Sequence, residues 1–273
     1  MYTSRNQAPP PDLRIVATSS LRPHEEHDHQ RSGPLMKRIE AATAIINPPI
    51  VAPMDDGNYV VLDGANRCYV FDHLGYPHIL VQVTSYESGY VELGVWQHIV
   101  GDWTIDTLLD HTRGIKDVRL TDGYAGDALA HMYLVDGRVY AVHAPVGNTH
   151  ERNRVLRQFV ANYRDNATLH RTAIHDPAEV WPLFPQAIAL VVFPEYTPAD
   201  IVVAAKEMAY LPPGISRHII HGRALKIQYP LDQLRDKVSS IEEKNTVLQH
   251  WVQEKLAHRH VRYYAEATYQ FDE

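Results

Sequence analysis

Apolar residues recur at Leu35, Met36, Ile39, Ala42 and Ile46, the three- and four-residue spacing of one helix face, so a helix is expected up to Asn47-Pro48. Two apolar runs, Ile50 to Ala52 and Tyr59 to Leu62, flank the turn Asp55-Asp56-Gly57-Asn58 and predict a β-hairpin. Leu13 to Ala17 and His78 to Val83 read as further strands, with a helix running from an Asp63-Gly64 turn to Gly75. From about Thr104 the organisation changes. Thr104 to His111, Arg152 to Tyr163 (apolar at Val155, Leu156, Phe159 and Val160) and Thr197 to Met208 read as helices, the last opened by Pro198 in its first turn. Met132 to Val135 and Val139 to His143 pair across Asp136-Gly137, and Ile188 to Phe193 reads as a buried strand. Leu231 to Leu256 reads as one charged amphipathic helix, a solvated packing or oligomer helix, and Met1 to Asp12 as a loose Pro-rich tail. The class expected is α/β (α+β), in two domains, 13–103 and 104–258.

With 273 residues, 45% of them hydrophobic, the chain is long enough to bury a substantial core. The single cysteine makes no internal disulfide, and no apolar run approaches the ~20 residues of a membrane span, so a cytoplasmic protein with no membrane partner is expected. A net charge of −7 with no lysine-rich arm argues against nucleic acid as the main partner.

The most informative stretch is Val60-Val61-Leu62-Asp63-Gly64-Ala65-Asn66-Arg67-Cys68-Tyr69-Val70, a β-branched run that breaks at Asp-Gly and re-emerges as helix. Such a turn presents unpaired amides at a helix N-terminus, where dipole and donors favour an anion, phosphate first, and Arg67 adds a guanidinium. On spacing alone an ordinary turn followed by a solvated arginine is the favoured reading.

Three segments occur in order: Pro23-His24-Glu25, Asp63-Gly64-Ala65-Asn66-Arg67, and Ser216-Arg217-His218. With Val95-Trp96 and the strand pair Val135 to Val142 between them, they resemble the free L-serine kinase branch of the ParB/sulfiredoxin-like superfamily, from about Leu13 to Leu234. No single motif is specific; the ordered set is. The resemblance implies a ParB/sulfiredoxin-like N-terminal domain, a second α/β domain closing a cleft over the nucleotide, and transfer of a phosphoryl group from ATP or ADP, with Mg2+, to free L-serine. Two departures stand out. Ala65 and Asn66 occupy positions where family members commonly have two histidines, and Asn47-Pro48-Pro49-Ile50 stands where an archaeal member has Trp-Lys-Pro.

The resemblance also implies roles. Glu25 would position the serine hydroxyl and take its proton; without the resemblance it reads as a helix N-terminal charge, with Glu26 as a confounder. Asp63 would orient the hydroxyl, hold a magnesium-bound water, or cap the next helix. Gly64, Ala65, Asn66 and Arg67 would cradle nucleotide phosphates. Arg217 and His218, with Ser216, would bind the transferred phosphoryl group or the serine carboxylate, although such a triplet is often a surface turn. Trp96 reads as a pocket wall or as core. His24 to His29 is dense in possible metal ligands, but one contiguous run rarely closes a coordination shell, so His27 to His29 read as solvated and no residue is assigned to a metal. Cys68 follows Arg67 and is expected to pack as a small hydrophobe. The alternative to the kinase is a ParB-like nucleotide-dependent regulator that binds DNA.

Overall fold

A computed structural model describes residues 8–145 and 147–264; the expected tail therefore lies largely outside the described residues. The chain forms two compact units, neither of them contiguous: one comprises 1–22, 27–92 and 219–273, the other 23–26 and 93–218. The crossing thus falls at 92/93, eleven residues before the anticipated 103/104, and the C-terminal segment returns to the first unit.

The first unit opens with β1 (Asp12–Ala17), β2 (Leu21–Pro23) and α1 (His29–Ala41), followed by β3 (Ala44–Ile45), β4 (Ile50–Pro53) and β5 (Tyr59–Asp63). Then come α2 (Ala65–His73) and β6 (His78–Val83). The sheet order is β1-β6-β4-β5-β2, antiparallel at β1/β6 and β4/β5 and parallel at β4/β6. The expected hairpin is present, with Val51 opposite Val61 and Ala52 opposite Val60. Helix α1 begins six residues before the apolar spacing does, because Asp28 caps it by accepting from Gln30 N and its polar first turns carry no pattern. It also ends earlier, since Ala42 is already extended and leads into β3.

Strand β7 (Val91–Val95) carries the chain into the second unit, where β8 (Gln97–Gly101), α3 (Ile105–Arg113), β9 (Arg119–Asp122), β10 (Ala130–Leu134) and β11 (Val139–His143) follow. After them come α4 (Thr149–Arg164), β12 (Thr168–Thr172), α5 (Pro177–Val180), β13 (Ala187–Val192) and α6 (Pro198–Lys206). Its antiparallel sheet has the order β12-β8-β13-β10-β11-β9. The continuous apolar run at 187–192 is explained by its position between β8 and β10, with Ala189, Leu190 and Val191 fully buried. Strand β14 (Ser216–Ile220) pairs with β7 and takes the chain back.

The return segment consists of β15 (Tyr229–Pro230), α7 (Leu231–Arg235) and α8 (Ile241–Ala257), with β15 antiparallel to β3. The single helix expected over 231–256 is therefore two. Asp236 accepts from the amides of Val238 and Ser239, and Ser240 starts α8 with a reciprocal cap from Glu243; these local bonds outcompete helix continuation. Asn245 on α8 then satisfies both backbone groups of Ile15 on the edge strand β1, at 2.9 and 2.8 Å.

Phe71 and Val70 of α2 are fully buried against Ile79, Leu80 and Val81 of β6 and Val61 of β5. This packing fixes the helix that follows the Asp63-Gly64 turn. Phe71→Ala is expected to lower stability by about 3–5 kcal/mol, read as a fall in the urea midpoint at unchanged slope.

Candidate functional site

In the second unit, the Pro-His-Glu segment is zipped to residues 209–211: Leu211 N donates to His24 O (2.8 Å) and Glu26 N donates to Leu211 O (3.0 Å). In the loop 209–214, Pro212 and Pro213 have no N–H to offer a neighbouring carbonyl, so the loop's carbonyls need other donors. They find them in side chains. Asn153 and Arg157 of α4 donate to the carbonyls of Ala209 and Tyr210, and Arg171 of β12 donates to Pro213 O at 3.0 Å. Gly214 has φ +73°, a left-handed conformation that favours glycine, and a Cβ there would press on the Arg171 guanidinium.

The loop held in this way presents three donors to one carboxylate. Gly214 N donates to Glu25 Oε2 at 2.7 Å, and Ser216 N and Ser216 Oγ donate to Oε1 at 2.7 and 2.6 Å. His24, 3% exposed, lies 2.7 Å through Nε2 from Ser216 Oγ, with its ring edge-on to His218 at 5.4 Å. The Arg217 guanidinium sits 4.5 Å over the Trp96 ring, and the Trp96 backbone N–H donates to Ile215 O, so Trp96 is a platform for the arginine. Glu26 turns to Arg157 (2.9 Å) and takes no part in the cluster. The structure thus brings Glu25 and Ser216 into direct contact and sets Arg217, His218 and Trp96 on the adjoining residues.

In the first unit, Gly64 caps α2 with φ +97° and no side-chain cap. A Cβ there would meet Pro49 at 3.0 Å, which explains the glycine beside the Asn47-Pro48-Pro49 segment. Asp63 does not cap the helix. Its Oδ2 accepts from Arg67 Nη2 (2.9 Å) and from Arg223 Nη2. Burial raises the Asp63 pKa, but the charges and hydrogen bonds of Arg67 and Arg223 outweigh burial and hold it below the ordinary carboxylate value. Arg67 also donates through Nη1 to the carbonyls of Asn47 and Pro48 (3.2 Å), so it anchors that segment as well as flanking the turn. Asn66 accepts from Asp28 N through Oδ1 (2.8 Å), which assigns its side-chain NH2 as the donor end. Gly64 and Ala65 contribute backbone amides only.

Arg223 and the arginines under the 209–214 loop escaped the sequence reading, and so did the contact of His24 with Ser216. Nothing in their spacing marks them; their partners are 160 or so residues away for Arg223 and Asp63, and 42 for Arg171 and Pro213. Cys68 is buried, and burial pushes its thiol up to about 12, in keeping with a packing role. His27 is stacked on Tyr69 at 3.6 Å and 3.1 Å from His29, and among the described residues no three His, Cys, Asp or Glu side chains gather as metal ligands.

His98 on β8 is fully buried, 2.8 Å from the Tyr163 hydroxyl, and edge-on to Phe193. Burial, reinforced by the Arg171 charge, lowers its pKa from 6.5 to about 3. The unfolded chain therefore binds this proton below pH 6.5 and the native one does not. The stability contribution is whole above that pH and is lost as pH falls toward the folded value, at about 1.4 kcal/mol per pH unit. His98→Gln is expected to be less stable at neutral pH and to show a flatter loss between about pH 6 and pH 4; equal slopes in urea titrations of both proteins would exclude His98 as the source.

No family model matches the chain. Among curated proteins it is 26% identical over 267 residues to the ATP-dependent L-serine kinase SbnI of Staphylococcus aureus, covering 94% of this chain and 96% of that protein. It is 25% identical over 239 residues to the ATP-dependent L-serine kinase of Desulfurococcus mucosus, covering 81% and 90%. Among solved structures it superposes on C-terminally truncated SbnI with TM-score 0.71 at 24% identity, over 90% of this chain and 97% of that one. A free serine kinase in complex with AMP gives TM-score 0.71 at 14% identity, over 83% and 95%. No helix among the described residues is long and apolar enough to cross a membrane. Over most of its length the chain is a relative of the free L-serine kinases and has their fold.

Proposed function

We propose that this protein transfers the terminal phosphoryl group of ATP to the hydroxyl of free L-serine, giving O-phospho-L-serine. The observation that carries the reading is the state of the Glu25 carboxylate. Oε1 already accepts two donors, while Oε2 accepts one and keeps a lone pair for a further hydroxyl. In this reading the serine hydroxyl donates to Oε2, and Glu25 takes its proton as the new bond to phosphorus forms. Arg217 and His218 bind the transferred phosphoryl group or the serine carboxylate, and Trp96 keeps the guanidinium extended. The amides of Gly64 and Ala65, the Asn66 carboxamide and Arg67 bind the nucleotide phosphates.

Both relatives in sequence are ATP-dependent, which favours ATP over ADP. Among the described residues no all-protein metal cage is present, but both arginine contacts of Asp63 go to Oδ2. That pattern fits a magnesium ion carried by the nucleotide, with Asp63 Oδ1 accepting from one of its waters. Such an ion would neutralise phosphate charge. The reading carries with it a cytoplasmic enzyme with small-molecule partners. The DNA-binding alternative gains nothing from the relatives above.

The decisive assay incubates purified protein with ATP or ADP and a panel of free amino acids and follows O-phosphoserine by mass spectrometry. Glu25→Gln is expected to lower kcat about 10²–10⁴-fold at little changed nucleotide affinity. Glu26→Gln, whose native partner is Arg157, is expected to be nearly silent; the reverse pattern would move the base by one residue.

Arg67→Ala removes a guanidinium from the nucleotide turn and releases the Asn47-Pro48 carbonyls. It is expected to weaken ATP binding by about 1.5–3 kcal/mol in calorimetry. Unchanged affinity would move the nucleotide away from the Asp63-Gly64 turn.

A further inference from the structure

Ser216 is more than a donor to Glu25. Its Oγ lies 2.6 Å from Glu25 Oε1 and 2.7 Å from His24 Nε2. Oε1 also accepts the Ser216 amide, so it accepts from the hydroxyl as well, and the single hydroxyl proton points to Glu25. His24 Nε2 must then be the donor in the other contact. That leaves Oγ with one unused lone pair, a carboxylate positioned to take its proton, and an imidazole N–H steadying the oxygen, the arrangement of an activated nucleophile.

We propose that Ser216 is itself a phosphoryl acceptor: the protein phosphorylates its own Ser216 from ATP when free serine is absent. The inference rests on the function proposed above, in which the phosphoryl group is delivered to a hydroxyl on Glu25 Oε2. Ser216 Oγ sits on the other oxygen of that same carboxylate, so a phosphorus that reaches one acceptor lies close to the other. In the step, Oγ attacks the terminal phosphorus of ATP and the Oγ–P bond forms. The bond from that phosphorus to the bridging oxygen breaks, ADP leaves, and the hydroxyl proton passes to Glu25 Oε1. The phosphoserine so formed carries negative charge against the Glu25 carboxylate, with the His24 N–H and the neighbouring Arg217 as its counter-donors. It occupies the base and therefore shuts off turnover of free serine.

The test uses the full chain, magnesium and ATP labelled in its terminal phosphate, with and without free serine. Intact mass and peptide mapping read the protein, and O-phosphoserine is followed in the same tubes. The expected result is one phosphoryl group per chain on Ser216, suppressed by excess free serine, with free-serine turnover lost in proportion to the label. Ser216→Ala and Glu25→Gln are expected to lose the label entirely. Wild-type protein that makes O-phosphoserine but carries no label, or carries it on another residue, overturns this inference and leaves the kinase reading standing. Protein that does neither with ATP or ADP overturns both, and label on Ser216 without any O-phosphoserine overturns the kinase reading alone.

Discussion

The candidate site depends on one constraint: a carboxylate near the N-terminus is held by a proline-broken loop almost 190 residues later. Glu25 could not keep a single rotamer on an exposed turn. It does so because Gly214 N, Ser216 N and Ser216 Oγ converge on it, and they converge because the loop has no freedom to turn away. Pro212 and Pro213 remove two donors, and the loop's carbonyls are claimed by Asn153, Arg157, Arg171 and the Glu26 amide. Asn153 and Arg157 of α4 and Arg171 of β12, which supply those donors, are thus part of what holds the site in place.

The Asp63-Gly64 turn is organised on a different principle. Here the carboxylate is paired with two guanidiniums on one oxygen, and burial is overcome by charge. Arg67 spends donors on the backbone of Asn47 and Pro48, so the segment that departs from the family pattern is tied to the very residue the pattern shares. The first amides of α2 have no partner within the helix, and the turn that presents them takes a left-handed glycine whose Cβ would meet Pro49. The turn therefore asks nothing of the Ala65 side chain.

The order of short motifs was readable from the chain because each is a local device. Asp-Gly after a β-branched run is a strand-to-helix turn, Pro-Pro-Gly is a break, and a hydroxyl-Arg-His triplet is a set of donors. Most helices and about half of the strands were readable for the same reason, their period being set by neighbours a few residues apart; β7, β8, β9, β12 and β14 were not. The helix boundaries at His29 and at Asp236 were not, because caps and side-chain bonds to backbone decide them and leave no apolar period.

Sequence by itself determined the α/β pattern, the turn, and the identity of Glu25 and Ser216 as residues of interest. It could not say that they touch, nor that Arg223 joins Arg67 on Asp63, nor that burial of His98 on β8 lowers its pKa. Those facts follow from contacts between residues tens to hundreds of positions apart, and from burial, which changes charge state through surroundings that no local pattern encodes. The tertiary structure also decided the division of the chain. A C-terminal segment with ordinary helical spacing returns to complete the first unit because Asn245 pairs with the open edge of β1 and Leu248 fills the core behind it.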